Sequence, residues 1–185
     1  MAWIAGELVN LRAWEREDVR AAWEATQSPD GRGERLRDWH KPPKALRAME
    51  AEFDAALVRP DATLLEFIID VDGRAVGDID FFRLDVRNRN TLVGLGIWRA
   101  EDRGKGYGSD ALRALLRWGF AQLNLHRVEL NVDVENAPAL HVYEKLGFVV
   151  EGRQREKHFG DGRFQDELTM AVLRRDFEAG DHGVG

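Results

Sequence analysis

Three alternating glycines separate an apolar extended segment from an amphipathic helical segment in the middle of this 185-residue chain. The segment 96–110 reads GIWRAEDRGKGYGSD. Glycine permits tight turns, and the first N–H groups of a helix have no acceptor within the helix. Those amides and the positive end of the helix dipole favour an anion. The segment therefore predicts a diphosphate-binding turn, with charge-assisted contacts expected from Arg103 and Lys105.

Two other phosphate-binding loops do not fit this turn. A Walker loop requires Ser or Thr after its lysine, whereas Lys105 is followed by Gly106. A dinucleotide fingerprint has the spacing GxGxxG early in a βαβ unit, and the spacing here is GxGxG. A plain helix start, with glycines that only allow a tight turn, remains the alternative.

The hydrophobic pattern around the turn predicts a mixed α/β (α+β) fold. Short connections predict an antiparallel meander upstream, because a parallel crossover needs a dozen or more residues; its strands are Thr63–Val71, Arg74–Leu84 and Thr91–Trp98. Downstream, strands and helices alternate over Ser109–Leu123, His126–Val134, Asn136–Leu146, Phe148–Arg153 and Phe164–Leu173. The N-terminal part adds a strand, Leu8–Trp14, and helices over Glu15–Gln27 and Lys44–Val58.

Composition limits the class of protein. Hydrophobic residues make up 44% and charged residues 32%, which is typical of a soluble domain. We expect one domain over 1–177, a disordered tail over 178–185, no membrane contact and a cytoplasmic location. The net charge of −6 argues against nucleic-acid binding. With no cysteine and no HExxH pattern, we expect no metal site.

Two motifs resemble those of the GNAT superfamily of N-acetyltransferases. The run RGKGYG over 103–108 matches the family's (Q/R)xxGx(G/A) signature, and NAPALHVYEKLGF over 136–148 matches NxxAxxxYxxxGF. The resemblance covers about Leu92–Leu173. It implies a central, mixed, mostly antiparallel twisted sheet of about seven strands with helices on both faces. It also implies acetyl-CoA as co-substrate.

The same resemblance implies roles for individual residues. The strand end at Gly96, Ile97 and Trp98 would face the pantetheine arm, which Asn136 would also contact. The diphosphate would be held by the turn and helix start, which comprise Arg103, Gly104, Lys105, Gly106, Tyr107, Gly108 and Ser109.

Acetyl transfer to an amine through a tetrahedral intermediate needs a base, an oxyanion donor and an acid. Tyr143 is the candidate acid for the departing thiolate, and packing of its ring in the core is the alternative. Asp78, Asp80 and Glu101 are candidate bases, among which the sequence does not choose. Glu129, Asn131 and Asp133 share one face of a strand, which we expect at a sheet edge facing solvent or the substrate.

The acceptor amine is the least constrained part of the prediction. The chain resembles the branch of ribosomal-protein N-terminal acetyltransferases (the RimJ/RimL type) and bacterial spermidine N-acetyltransferases. Its acidity suits a polyamine, but 31–44 is rich in Arg and Lys, so a peptide amino terminus or a small amine is favoured. Trp39 is a candidate wall of the substrate cleft. A non-catalytic acetyl-CoA-binding module and a non-enzymatic interaction domain are the rival classes, and a homodimer is expected from the family.

Overall fold

Two short strands and a pair of longer ones form the first part of the sheet. In the computed structural model, which describes residues 3–27, 44–160 and 162–180, β1 (Ile4–Ala5) pairs antiparallel with β2 (Asn10–Arg12). Strand β2 pairs with β3 (Leu65–Val71), which pairs with β4 (Arg74–Asp85), both antiparallel. The tight connection between β3 and β4 is made by Asp72 and Gly73, both with positive φ, as the Asp-Gly pair predicts.

Between β2 and β3, the described residues 13–27 and 44–64 contain two helices. Helix α1 (Arg16–Gln27) and α2 (Leu46–Val58) agree with the helices predicted at Glu15–Gln27 and Lys44–Val58. Helix α1 buries Val19, Ala22 and Ala25, which follow the helical spacing of three to four residues.

The middle of the chain contains the glycine-rich turn that the sequence predicts to bind a diphosphate. Strand β5 (Asn90–Ile97) leads into a short 3₁₀ turn (Ala100–Asp102) and then α3 (Tyr107–Gln122). Strand β6 (Arg127–Asp133) follows and pairs parallel with the start of β5, over Asn90–Leu92. A parallel neighbour reached through a helix is a βαβ crossover.

A helix, a long hairpin and a terminal helix complete the chain: α4 (Ala137–Lys145), β7 (Val149–Gly160), β8 (Arg163–Leu173) and α5 (Arg174–Gly180). The eight strands have the order β1-β2-β3-β4-β5-β6-β8-β7. The predicted fold class, a mixed and mostly antiparallel sheet with helices, is confirmed, with eight strands rather than about seven.

The chain forms two compact units, one comprising 1–82 with 94–115 and the other 83–93 with 116–185. In the first unit, Ala22, Ala25, Ile68 and Trp98 form a buried cluster against which Trp14 and Met49 pack. In the second unit, the alternation predicted for β6 is confirmed, because Val128, Leu130 and Val132 are buried.

Several local predictions differ from the structure. The strand predicted over Leu8–Trp14 is shorter in the structure, where it covers Asn10–Arg12, and the unpredicted strand β1 precedes it. Of the β6 residues predicted at a sheet edge, Glu129 lies inside the sheet, because there β6 pairs with β5 on one side and β8 on the other. The pairing with β5 ends at Glu129, and Asn131 and Asp133 pair with β8. The first three residues of the predicted tail, 178–180, are the end of α5; 181–185 lie outside the described residues.

Candidate active site

The glycine turn has the backbone geometry of an anion-binding loop. Gly104 and Gly106 adopt positive φ values of 72° and 86°, which are left-handed conformations that favour glycine. The N–H of Asp110 donates to the carbonyl oxygen of Gly106 at 3.0 Å, one helical turn back. The amides of Tyr107, Gly108 and Ser109 therefore precede the first such bond, as expected for helix N-terminal donors.

The space around the turn fits a ligand that approaches the backbone closely. A Cβ atom added at Gly104 would meet nothing within 4 Å, whereas one added at Gly108 would contact Leu95 at 3.4 Å. Gly104 therefore faces open space and Gly108 packs α3 against β5. The Ser109 hydroxyl donates to the Gly106 carbonyl oxygen at 2.9 Å. An open turn with unused amides fits the diphosphate of acetyl-CoA.

The two basic side chains of the turn make contacts within it. The Arg103 guanidinium donates to the carbonyl oxygens of Ile97 and Trp98 at 3.3 and 3.5 Å. Lys105 Nζ lies 3.4 Å from a carboxylate oxygen of Asp102 and 5.9 Å from the centroid of the Tyr107 ring. The Arg103 contacts hold the turn to the end of β5, and Lys105 stays beside the open loop.

An ion pair between a buried carboxylate and an exposed guanidinium supports the turn, and the sequence pattern did not reveal it. The Asp102 side chain is 1% exposed, and its two oxygens accept hydrogen bonds from Arg74 at 2.7 Å each. The Arg74 guanidinium lowers the pKa of Asp102 below its ordinary value, with a smaller contribution from Lys105. A fully ionised carboxylate therefore fixes the residue just before the turn to β4.

Strands β4 and β5 approach closely where the turn begins. A Cβ atom at Gly77 would overlap the carbonyl oxygen of Gly96 and lie 3.2 Å from its carbon. The Trp98 N–H donates to the Val76 carbonyl oxygen at 3.0 Å, and its indole N–H donates to Asp78. The Trp98 ring also packs against Trp14, with centroids 5.9 Å apart. The predicted cofactor strand is thus held firmly on its β4 side.

Two carboxylates of β4 lie over glycines of β5. The nearest atom to a Cβ added at Gly96 is a carboxylate oxygen of Asp78, at 3.8 Å. A Cβ added at Gly94 would overlap the Asp80 carboxylate and lie 3.3 Å from its carbon. Both aspartates are half-buried, whereas the third candidate base, Glu101, is exposed.

The second compact unit contains the other motif. Asn136 caps α4, since its side-chain oxygen accepts from the N–H of Ala139 at 3.2 Å. Tyr143 lies half-buried on the same helix, with its ring centroid 5.8 Å from that of Phe148. Asn136 thus has a structural role, and the predicted contact with pantetheine and the acid role of Tyr143 stay predictions.

A polar network, also missed in the sequence, links the strands of this unit. Asn131 Oδ1 accepts from Gln154 at 3.1 Å and Thr169 at 3.0 Å. The imidazole of His158 lies 3.7 Å from Asp133 and 3.6 Å from the buried Glu167. The polar face of β6 therefore points at polar partners on β7 and β8, which explains its alternation without a sheet edge.

Part of the predicted site falls where the structure gives no description. Trp39 and the basic residues before Lys44 lie outside the described residues. Among the residues that are described, no group of His, Asp and Glu side chains could hold a metal ion. Within the same ranges, no helix has both the length and the apolar character needed to cross a membrane.

The fold and the two motifs define an acyltransferase that uses acetyl-CoA. Residues 9–149 match the family described as the acetyltransferase (GNAT) domain. The chain belongs to this family and is an N-acetyltransferase, as its motifs predicted.

Individual relatives support this assignment. The spermidine N(1)-acetyltransferase of Escherichia coli (strain K12) is 29% identical over 172 residues, which are 92% of this chain and 89% of that protein. The crystal structure of spermidine N-acetyltransferase from Vibrio cholerae, in complex with CoA and spermine, superposes with a TM-score of 0.80 and 27% identity. That match covers 92% of this chain and 98% of the other.

A third relative matches a smaller part of the chain. The L-amino acid N-acetyltransferase AaaT of Escherichia coli (strain K12) is 30% identical over 105 residues. The match spans 56% of this chain and 65% of that protein.

Proposed function

We propose that this chain transfers the acetyl group of acetyl-CoA to a primary amine of a small aliphatic acceptor, with polyamines as the first class to test. Two of the relatives matched over nine-tenths of this chain are named for spermidine. A polyamine is therefore proposed ahead of a peptide amino terminus, the acceptor that the basic segment 31–44 favoured. That segment lies outside the described residues except for Lys44, which binds Glu52 at 2.8 Å.

The observation that carries the proposal is the placement of Asp78 and Asp80 over β5. A protonated aliphatic amine has a pKa of about 10 and must lose a proton before it attacks a thioester. Two half-buried carboxylates beside the strand end provide a negative field for a cation and an acceptor for its proton. We take Asp80 as the candidate base, because its carboxylate approaches the backbone of β5 more closely than that of Asp78.

The remaining roles follow the family motifs. The turn from Arg103 to Ser109 holds the diphosphate, and Gly96 to Trp98 together with Asn136 contact the pantetheine arm. Acetyl-CoA, when bound, supplies an activated acyl group. Asp80 takes the ammonium proton directly or through water, and the neutral amine nitrogen then forms a bond to the acyl carbon. As the bond from that carbon to sulfur breaks, the Tyr143 hydroxyl gives its proton to the departing thiolate. The second proton of the nitrogen passes through water to the Tyr143 oxygen, which restores the hydroxyl.

An α-amine is the second candidate acceptor. The similarity to an L-amino acid N-acetyltransferase supports it, and so does the RimJ/RimL-type resemblance of the sequence motifs. The terminal amines of a polyamine are primary, as is the α-amine of most amino acids, so the same base and acid serve either acceptor. The two kinds of acceptor differ in the charge that the molecule carries outside the reacting amine.

A location in the cytoplasm and a homodimer belong to the same proposal. The absence of cysteine from the sequence agrees with a reducing compartment. The homodimer is an expectation from the family, and light scattering of the purified protein tests it.

A panel of amines tests the proposed acceptor. The protein is incubated with acetyl-CoA and spermidine, a free amino acid or a short peptide, and release of the free thiol is followed. We expect the highest kcat/KM with the polyamine. A higher value with the amino acid or peptide would transfer the assignment to α-amines, and binding of acetyl-CoA without turnover of any amine would favour a non-catalytic module.

A further inference from the structure

The carboxylate of Asp110 is bound by backbone amides from a distant part of the chain. It lies in the first turn of α3 and is 7% exposed. One oxygen accepts from the N–H of Glu7 at 3.1 Å, and the other accepts from Leu8 at 2.7 Å and Val9 at 3.0 Å. Three donors that converge on one carboxylate make strong, charge-assisted hydrogen bonds. The start of α3 is thereby fixed to the turn between β1 and β2.

The lack of a side chain at Gly6 leaves room for the Asp110 carboxylate. A Cβ atom at Gly6 would overlap the Asp110 carboxylate and lie 2.9 Å from its carbon. Gly6 is not among the residues with positive φ, so its backbone conformation is open to alanine. The close contacts with the carboxylate and with the Val9 carbonyl oxygen at 3.0 Å, and not the backbone dihedral, therefore demand glycine at this position.

The turn over 6–9 also touches the glycine loop itself. A Cβ atom at Gly106 would lie 3.2 Å from a methyl carbon of Leu8. Gly106 has a positive φ and stands one residue before α3. The turn therefore meets the loop twice, through Leu8 at Gly106 and through the amides at Asp110.

The helix dipole favours a carboxylate in the first turn of a helix, but the proposed ligand is also an anion. Asp110 directly follows the amides of 107–109, which we assign to a diphosphate, and like charges repel. An uncharged capping residue satisfies a helix N-terminus without opposing an anion. The three amide partners offset much of this repulsion by binding the negative charge. Compared with a neutral capping residue, the carboxylate binds the start of α3 more strongly to the turn between β1 and β2.

We propose that Asp110 is a positioning residue for coenzyme A binding, which acts by locking the glycine loop to the turn over 6–9. The lock keeps the amides of 107–109 oriented before the ligand arrives, so that binding does not have to order them. The inference rests on the proposed function, because it assumes that this loop holds the diphosphate.

Calorimetric titration of CoA into the full chain tests the inference. Asp110→Asn removes an acceptor from the lock, and Gly6→Ala displaces the carboxylate from the other side. Asp18→Asn is the matched control, because Asp18 is also a buried carboxylate, bound to Arg12 at 2.7 Å, and has no place in the loop. Gly106→Ala tests the loop itself. Each variant is measured at a temperature where circular dichroism shows that it is folded.

We expect Asp110→Asn and Gly6→Ala each to weaken CoA binding roughly tenfold, the equivalent of about one hydrogen bond. Both should speed hydrogen exchange at 107–109 in the free protein, whereas Asp18→Asn should do neither. The two changes should not be additive, because they break one contact.

The outcomes separate the two claims. Weaker binding by Gly106→Ala but unchanged binding by Asp110→Asn and Gly6→Ala would overturn the lock and keep the loop as the CoA site. An equal loss in the Asp18→Asn control would reduce Asp110 to a general stabilising role and also overturn it. Unchanged binding by Gly106→Ala would contradict the proposed site, and the inference with it.

Discussion

Gly77 lies so close to the carbonyl oxygen of Gly96 that no side chain fits between them. This approach joins β4 to the strand end that leads into the glycine loop. Gly77 has no positive φ, so the restriction is one of space. The two glycines set the spacing of the strands beneath the proposed cofactor site.

Gly77→Ala should therefore destabilise the protein by about 1–3 kcal/mol, the usual cost of inserting a methyl group into a packed site. It should also weaken CoA binding, because the loop begins just beyond Gly96. Urea unfolding and CoA titration measure the two effects. Gly152→Ala on β7 is the control, since its new Cβ would meet nothing within 4 Å and stability should change little.

The Asp102–Arg74 pair predicts a pH dependence of stability. Arg74 lowers the pKa of the Asp102 carboxyl in the folded state. The ionised carboxylate therefore stabilises the fold fully above the ordinary aspartate pKa of about 3.9. That contribution is lost as the pH falls through the lowered pKa. Asp102→Asn should lower the free energy of unfolding most near about pH 7, and its difference from wild type should shrink toward about pH 3.

Unfolding in urea at several pH values measures this difference. Arg74→Lys keeps the charge but loses the two parallel hydrogen bonds. It should lower the free energy of unfolding less than Asp102→Asn does, and its difference from wild type should also shrink as the pH falls. A difference between wild type and Asp102→Asn that does not change with pH would show that the charge of Asp102 has no role.

Asp80→Asn should lower kcat/KM by roughly 10²-fold or more if Asp80 accepts the amine proton. The loss should be largest on the acidic side of the pH profile, where the amine is protonated, and CoA affinity should stay near that of wild type. Asp85→Asn removes a carboxylate further along the same strand and serves as control. An Asp80→Asn profile that parallels wild type would return the base to an unassigned group.

Tyr143→Phe should keep the ring contact with Phe148 and lose only the phenol hydroxyl. We expect kcat to fall by about 10²-fold with little change in CoA affinity, because the acid acts on the leaving thiolate. Steady-state kinetics with spermidine, beside a CoA titration, separate these effects. An unchanged kcat would support the alternative in which Tyr143 only packs.

The sequence predicted the elements that depend on local patterns. Of the predicted stripe, Leu112, Leu115, Leu116 and Phe120 are buried in α3 as their spacing indicated. Its last member, Leu123, lies just beyond the end of α3 and is half-buried. Gly104 and Gly106 were recognised because left-handed backbone favours glycine and a turn before a helix is a local signal. The motif at Asn136 and Tyr143 was recognisable for the same reason.

The parts that were missed depend on contacts between distant residues. Asp102 meets Arg74 28 positions away, and Asp110 meets Leu8 102 positions away. An aspartate in a glycine-rich turn has the same local signature whether it faces water or three buried amides. The position of β6 inside the sheet was missed similarly, because strand order is set by pairing and not by the alternation along one strand.

Hydrogen–deuterium exchange tests most directly whether the backbone amides in the turn from Arg103 to Ser109, above all those of 107–109, hold the diphosphate of the co-substrate. Exchange is followed by mass spectrometry in the free protein and with saturating acetyl-CoA. We expect that, with acetyl-CoA bound, peptides covering 103–109 become the most strongly protected part of α3 and its turn. Saturated protein in which those amides exchange as fast as in the free state would contradict it.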